Sequence, residues 1–284
     1  MQKSDYIQAE IIDDSTDEED TIIPKVKTNI KSNIKSNIKT NIKTNVKKPK
    51  TDTCILKKFY NEDENIIEIG VDEAGRGPLF GRVYTAAVIL PKDDTFNHSL
   101  LKDSKKFHSK KKIEEVANYI KENAHAWYVS FEDERKIEEI NILQATQQSM
   151  HTSVLETRKQ FNKIQTENCK EERKDYSYNL LIDGNYFNPI TVLNKKTNKI
   201  ETIPHLTIEG GDNKYTAIAA ASILAKVERD RYIDELCENN PTLAEYYGID
   251  TNKGYGAKKH LDGIKEHGIT IWHRRTFGIC KNYC

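Results

Sequence analysis

The sequence predicts an α/β layered domain from about residue 65 onward, and three observations predict it. Two apolar runs, IIEIGVDEA at 66–74 and RVYTAAVILP at 82–91, are joined by a Gly-Arg-Gly-Pro turn and read as buried strands. Two long stretches, 141–164 and 214–239, have helical spacing of their apolar residues. Short strand-like segments alternate with these helices, which is the order a layered α/β domain shows.

The remaining elements follow in order. Residues 109–123, SKKKIEEVANYIKEN, read as a helix with Ser109 as N-cap. AHAWYVSF at 124–131 reads as a third strand, NLLIDG at 179–184 as a fourth and HLTIEG at 205–210 as a possible fifth. The helix at 214–239 has an Ala-rich face, and small residues there predict close packing on the sheet. The rest, including GYGAKKHLDGIKEHG, reads as helix and loop.

The first 60 residues have a different texture. Residues 1–20 carry eight acids against Lys3, and residues 21–50 carry nine lysines and no acid. TNIKSNIKSNIKTNIKTNVKK at 28–48 repeats Asn-Ile-Lys-Ser/Thr every four residues, from mediocre helix formers. The expected domains are therefore an acidic disordered tail at 1–20, a basic low-complexity linker at 21–60 and a folded domain at 65–284. Net charge is zero, so positive charge is notable only for its concentration in one stretch. No apolar run approaches the roughly 20 residues of a membrane span, and no apolar stretch follows a basic start. Five cysteines at irregular spacing argue against a disulfide framework and for a reducing compartment. Those features lead to an expectation of cytoplasmic localisation, without excluding the nucleus or a host-cell compartment.

The chemistry lies in acids at element ends. Asp72 and Glu73 end the first strand just before Gly75-Arg76-Gly77-Pro78. Neighbours on a strand face opposite ways, so one can serve the sheet face and the other only where the strand stops. Asp183 ends LLI and precedes Gly184; Asp212 follows Gly210-Gly211 just before a helix, where an Asp is commonly an N-cap. If the two strands are neighbours, these carboxylates converge. Converging carboxylates repel unless a cation joins them. Hard oxygen donors without His or Cys favour Mg²⁺ or Mn²⁺ and point to metal-assisted phosphodiester chemistry.

Several ordered blocks narrow the substrate. GVDEAGRGPLFG (70–81), LKDSKKF (101–107), INILQAT (140–146), LLIDGN (180–185), GGDNKYTAIAAASILAKVERDRY (210–232), NKGYGAKKHLDGIKEHG (252–268) and HRRTF (273–277) resemble the signatures of type 2 ribonuclease H (RNase HII), in that family's order. The resemblance implies an RNase H-like fold: a mixed five-stranded sheet flanked by helices, with C-terminal helices. It implies hydrolysis of the RNA strand of RNA/DNA hybrids and cleavage 5′ of ribonucleotides in duplex DNA, in ribonucleotide excision and primer removal. Products would carry 3′-hydroxyl and 5′-phosphate ends.

Carried over residue by residue, the catalytic and metal-binding acids are Asp72, Glu73, Asp183 and Asp212, with Mg²⁺ or Mn²⁺ as cofactor. Gly75, Arg76 and Gly77 match the ribonucleotide-sensing turn, and Tyr255 the tyrosine that packs on the neighbouring sugar. Lys105 and Lys226 are expected to face phosphate. Arg229, Arg274 and Arg275 are expected to do the same or to pair with acids, a solvated or structural role being the alternative for each of these basic residues, and Asp230 is expected to position the metal ligands. The expected partners are an RNA/DNA hybrid and a DNA duplex containing ribonucleotides, bound by a monomer, with no membrane. Arg82 departs from the family, which usually has Pro there; Arg frees the entry to the second strand or adds a phosphate contact. Two alternatives remain at this point: a non-catalytic hybrid-binding module, and a nuclease of this fold acting on all-DNA junctions.

The basic stretch carries its own prediction. Each phosphate neutralised by Lys releases condensed counterions, so an arm that binds nucleic acid steepens the salt dependence of affinity. Deleting residues 1–50 is expected to flatten the slope of log affinity for a hybrid against log salt, measured by anisotropy; an unchanged slope would make the stretch a mere linker.

Overall fold

The computed structural model describes residues 56–168, 176–194 and 197–283. The expected acidic tail and all of the basic linker before residue 56 lie outside the described residues. The last residues of that linker are already part of the folded unit. Lys57 bridges to Tyr215, and buried Glu68 accepts the backbone N–H groups of Tyr60 (3.1 Å) and Asn61 (2.5 Å). A buried carboxylate that needs donors thus ties the incoming chain to the first strand.

The main sheet has five strands: β1 (Ile66–Ala74), β2 (Val83–Ile89), β3 (Ala126–Glu132), β4 (Ser177–Asp183) and, after a short hairpin of β5 (Thr191–Asn194) and β6 (Lys199–Thr202), β7 (His205–Ile208). Their order is β3-β2-β1-β4-β7. β1 pairs antiparallel with β2 and parallel with β4, and β4 pairs parallel with β7, so the sheet is mixed as expected. The sequence does not predict the hairpin: TVLN and KIET are short, and all of their residues but Val192 are charged, polar or exposed, so no apolar alternation announces them.

Helices cover both faces. α1 (Lys110–Asn123) starts after Ser109, which stands at the N-cap position but makes no side-chain cap bond. α2 (Glu134–Asn168) is two helical runs broken at Asn141, whose φ of 68° is left-handed. The Asn141 side chain accepts from Leu143 N–H (2.9 Å) and Gln144 N–H (3.1 Å), which explains why the periodicity begins there. The run before it, 134–140, was missed. α3 (Thr216–Asn239) is followed by α4 (Pro241–Tyr247), α5 (Ile249–Asn252) and α6 (Lys258–His267).

Strand alternation divides the core. Ile67, Ile69 and Val71 of β1 and Leu180 and Ile182 of β4 pack with Met150, Val154 and Phe161 of α2. The other face meets α1 and the small-residue side of α3: Ala217, Ala220, Ala221 and Ala225 lie with Ala86, Val88, Val116 and Ile120. A third cluster joins Phe80 and Ile233 to Leu243, Tyr247 and Ile264 of the C-terminal helices. Among the described residues no helix is long and apolar enough to cross a membrane.

The approach of α3 to β1 is backbone against backbone. A β-carbon placed on Gly70 would lie 2.2 Å from the Ala217 carbonyl carbon. Close-packed interiors do not yield that space without strain. Gly70→Ala is expected to lower stability by about 1–3 kcal/mol, the usual scale of overpacking. Urea unfolding measures it; a midpoint equal to the parent's would contradict the close approach.

Candidate active site

The C-terminal tips of β1 and β4 lie side by side. Val71 pairs with Ile182 in parallel register, so Asp72 and Asp183 follow on adjacent strands. Because side chains alternate, both point away from α2 and toward α3. Ser222 of α3 hydrogen-bonds the Asp72 carboxylate, which also accepts the Glu73 N–H at 2.6 Å. Glu73 faces the other way but sits where the strand ends, and it pairs with Arg76 at 3.2 Å.

Asp212 arrives through a turn. The Gly211 N–H donates to Asp183 Oδ1 at 2.7 Å, which sets the 3₁₀ turn Gly211–Asn213 against the strand tip. The N-cap expectation for Asp212 gives way here: Tyr215 holds the N-cap position of α3, without a capping side-chain bond. Asp212 is 3% exposed and Asp72 5%, so neither is an ordinary solvated acid. Asn213 bridges Asp212 Oδ1 (3.0 Å) and Asp103 Oδ2 (3.2 Å). Ser104 reaches Ser222 at 3.0 Å. These four residues were not singled out from sequence, although they lie in the DSKKF, GGDNKYTA and AAAS blocks.

Electrostatics follow from the crowding. Burial first, then Glu73 and Asp183, push the Asp72 carboxyl well above its ordinary range. Burial raises Glu73 against the opposing pull of Arg76. Burial also raises Asp183, against the Gly211 hydrogen bond and with the charge of Asp212 adding to it. Burial presses the Lys105 ammonium down, but Asp212, Asp103, Asp72 and Asp183 outweigh it and its pKa rises. Lys105 Nζ is 3.9 Å from Asp212 Oδ2 on a largely exposed side chain, the one cation of the DSKKF block facing the acids.

The donor set suits a hard divalent cation: carboxylate oxygens, desolvated and mutually repelling, without sulfur or imidazole. Among the described residues, no three His, Cys, Asp or Glu side chains are drawn into a closed coordination cage. Their present partners explain why: each of the four oxygen sets leans on an amide, an amide side chain or Arg76. The acids are gathered at one corner of the sheet and electrically unbalanced, their charge opposed by Arg76 and Lys105.

The turn at 75–77 borders this corner. Gly75 has φ of 91°, and a β-carbon there would lie 2.1 Å from Arg229 Nε, so both conformation and space require glycine. Gly77 faces Tyr255: a β-carbon there would be 3.7 Å from Tyr255 Cε1, an ordinary contact. Tyr255 is about half exposed, with Arg229 5.9 Å from its ring centroid. Its carbonyl accepts from His260 Nδ1 at 2.9 Å, leaving His260 Nε2 to accept from His273 Nε2 at 3.1 Å. His273 Nδ1 accepts the Thr270 N–H at 2.9 Å. Burial, then the neighbouring His260, hold His273 neutral, with its pKa lowered to about 3.

The remaining basic residues divide. Arg229 is 3% exposed and donates to Lys253 O at 2.8 Å and Phe80 O at 3.4 Å, so it holds loops. Arg274 is fully buried and donates to backbone carbonyls, the structural alternative for this residue. Burial, then Arg229, lower its pKa to about 9, which leaves it charged at neutral pH. Lys226 and Asp230 pair with each other at 2.7 Å along α3, with both side chains partly exposed. Arg275 N–H donates to Glu138 at 2.9 Å. Arg82 lies over the rings of Phe131 (4.1 Å) and Tyr232 (4.5 Å), where stacking replaces the rigidity of proline.

Comparison with known proteins identifies the family of this fold. The family model for ribonuclease HII matches residues 69–280. Ribonuclease HII of Bacteroides thetaiotaomicron is 43% identical over 225 residues, covering 79% of this chain and 95% of that protein. Among solved structures, ribonuclease H2 of Pyrococcus horikoshii aligns with a TM-score of 0.54 at 21% identity, covering 76% of this chain and 96% of that one. Bst-RNase HIII in complex with Mn²⁺ aligns with a TM-score of 0.51 at 17% identity, covering 83% and 73%. These two share the mixed-sheet fold. By the family match and the identity to its relatives, the chain belongs to the ribonuclease HII family and is a nuclease of the hydrolase class.

Proposed function

We propose that the chain cuts the RNA strand of RNA/DNA hybrids and cuts 5′ of a ribonucleotide embedded in duplex DNA, leaving 3′-hydroxyl and 5′-phosphate ends. The observation that carries this reading is the adjacency of Asp72 and Asp183, with Asp212 drawn in by Gly211, beside a glycine turn that faces Tyr255. Asp72, Glu73, Asp183 and Asp212 would hold Mg²⁺ or Mn²⁺, and the Mn²⁺ complex of the HIII relative supports that class of ion. When bound, such ions supply an activated water and neutralise charge on the leaving 3′-oxygen.

The chain's own residues do the rest. Burial and mutual repulsion keep the acids poised to take up positive charge rather than to remain bare. Lys105, exposed at the rim, offers a cation to the incoming phosphate while tethered to Asp212. Gly77 leaves open the surface beside Tyr255, whose half-exposed ring provides a flat face for a sugar. A 2′-hydroxyl both donates and accepts hydrogen bonds, so a backbone turn can separate ribose from deoxyribose without reading a base. Ribonucleotide excision and primer removal, by a monomer in the cytoplasm, are the roles this activity would serve.

Asp183→Asn keeps the shape and the Gly211 hydrogen bond but removes a charge. Hybrid binding and the far-ultraviolet spectrum are expected to stay near the parent's while cleavage in Mg²⁺ falls by about 10²–10³-fold, the scale for losing a preorganised charge-stabilising group. Parent-level cleavage would remove the carboxylate assignment. Gly77→Ala puts a methyl on the surface facing Tyr255. Cleavage at a single embedded ribonucleotide is expected to drop about tenfold or more with hybrid affinity little changed, a loss of roughly 1.4 kcal/mol. Equal losses in both assays would count against a sugar-reading turn.

A further inference from the structure

We propose that Arg274 is a positioning residue that sets the hydrogen-bond polarity of the 75–77 turn, and through it the preference of the chain for ribose. This rests on the reading of that turn as the ribose reader. Arg274 comes from the far end of the chain, yet its guanidinium is spent on the turn. Nη2 donates to Gly75 O at 2.6 Å, Nη1 to Arg76 O at 2.9 Å and Pro78 O at 3.0 Å, and Nε to Gly81 O at 2.8 Å. Its own backbone N–H donates to Leu79 O at 2.8 Å. One residue therefore satisfies five carbonyls of a seven-residue loop, and Phe80 O is met by Arg229.

The consequence lies on the other side of each peptide. In a trans peptide the C=O of one residue and the N–H of the next point in opposite directions. Drawing Gly75 O and Arg76 O inward to one cation turns the N–H groups of Arg76 and Gly77 outward. Both residues are exposed, and no described residue accepts from either N–H. Two successive outward amides form a small concavity with positive partial charge, suited to an oxygen acceptor. The peptide after Pro78 confirms the logic. Its carbonyl also goes to Arg274, and the opposed Leu79 N–H reaches Gly254 O at 2.9 Å, next to Tyr255. The same guanidinium thus aims two free amides at the sugar and joins the turn to the tyrosine loop. The acceptor for those amides is the 2′-oxygen of ribose, which a deoxyribose lacks.

Lysine at 274 keeps a buried cation but is a single point donor and lacks the planar fork that spans four carbonyls. The test uses the full chain in Mg²⁺, with a duplex carrying one ribonucleotide as substrate and the same all-DNA duplex as competitive inhibitor. For Arg274→Lys, KM for the substrate is expected to rise about tenfold while the inhibition constant of the all-DNA duplex stays within about twofold. A parallel rise in both constants, or no change in either, would overturn the proposal, with circular dichroism and the melting temperature establishing that the variant is folded. Gly77→Ala in the same assay separates the two readings. If it loses discrimination while folded Arg274→Lys keeps it, only the role of Arg274 fails; if Gly77→Ala keeps discrimination, the reading of the turn itself fails. Should Arg274→Lys not fold, amide exchange in the parent decides. The Arg76 and Gly77 amides are expected to exchange freely alone and to gain protection with the ribonucleotide duplex but not with all-DNA. Protection in the free chain, or none with either duplex, would sink the assignment.

Discussion

The parallel pairing of β1 with β4 is the constraint on which the site depends. Parallel neighbours end on the same side of a sheet, so their last residues meet. The register Val71↔Ile182 makes those residues Asp72 and Asp183, and side-chain alternation puts both on the α3 face. Had the register slipped by one, the acids would have entered the apolar layer under α2. Everything else at the site is an attachment to this pair: Gly211 donates to Asp183, Ser222 to Asp72, and Asn213 ties Asp212 back to Asp103.

The site divides its charges by depth. The acids are desolvated and press on one another, which raises their proton affinity and makes a divalent cation the favourable neighbour. The buried arginines are placed where no carboxylate competes for them, and their charge is met by carbonyl dipoles instead. Pairing Arg274 with a carboxylate would have spent its fork on one partner; four carbonyls let it govern the shape of a loop. Arg76 and Lys105, at the surface, meet Glu73 and Asp212 at the edge of the acids.

Much of this is legible in the sequence. The five main strands, the long helices and the boundary near Asn141 follow from periodicity and capping chemistry, and the ordered motifs point to the four acids together. The failures have physical causes. The β5–β6 hairpin has exposed strands without apolar alternation. Asp212 looks like a helix cap because it precedes a helix, but a 3₁₀ turn intervenes and the cap position passes to Tyr215. For Arg229 and Arg274 the phosphate-facing and structural readings stay side by side, since a basic residue in a nuclease motif has no local mark that distinguishes a buried fork from a surface one.

The sequence by itself determined the class of fold, the placing of acids at strand and turn ends and the glycines that permit the turn, because periodicity, residue chemistry and backbone freedom are local properties. Only the tertiary structure decided which partner each charged group meets. Arg274 contacts residues 193 to 199 positions away, and Asn213 meets Asp103 across 110. Hydrogen-bond partners at that separation are set by how layers pack and how strands register, and no window along the chain contains that information.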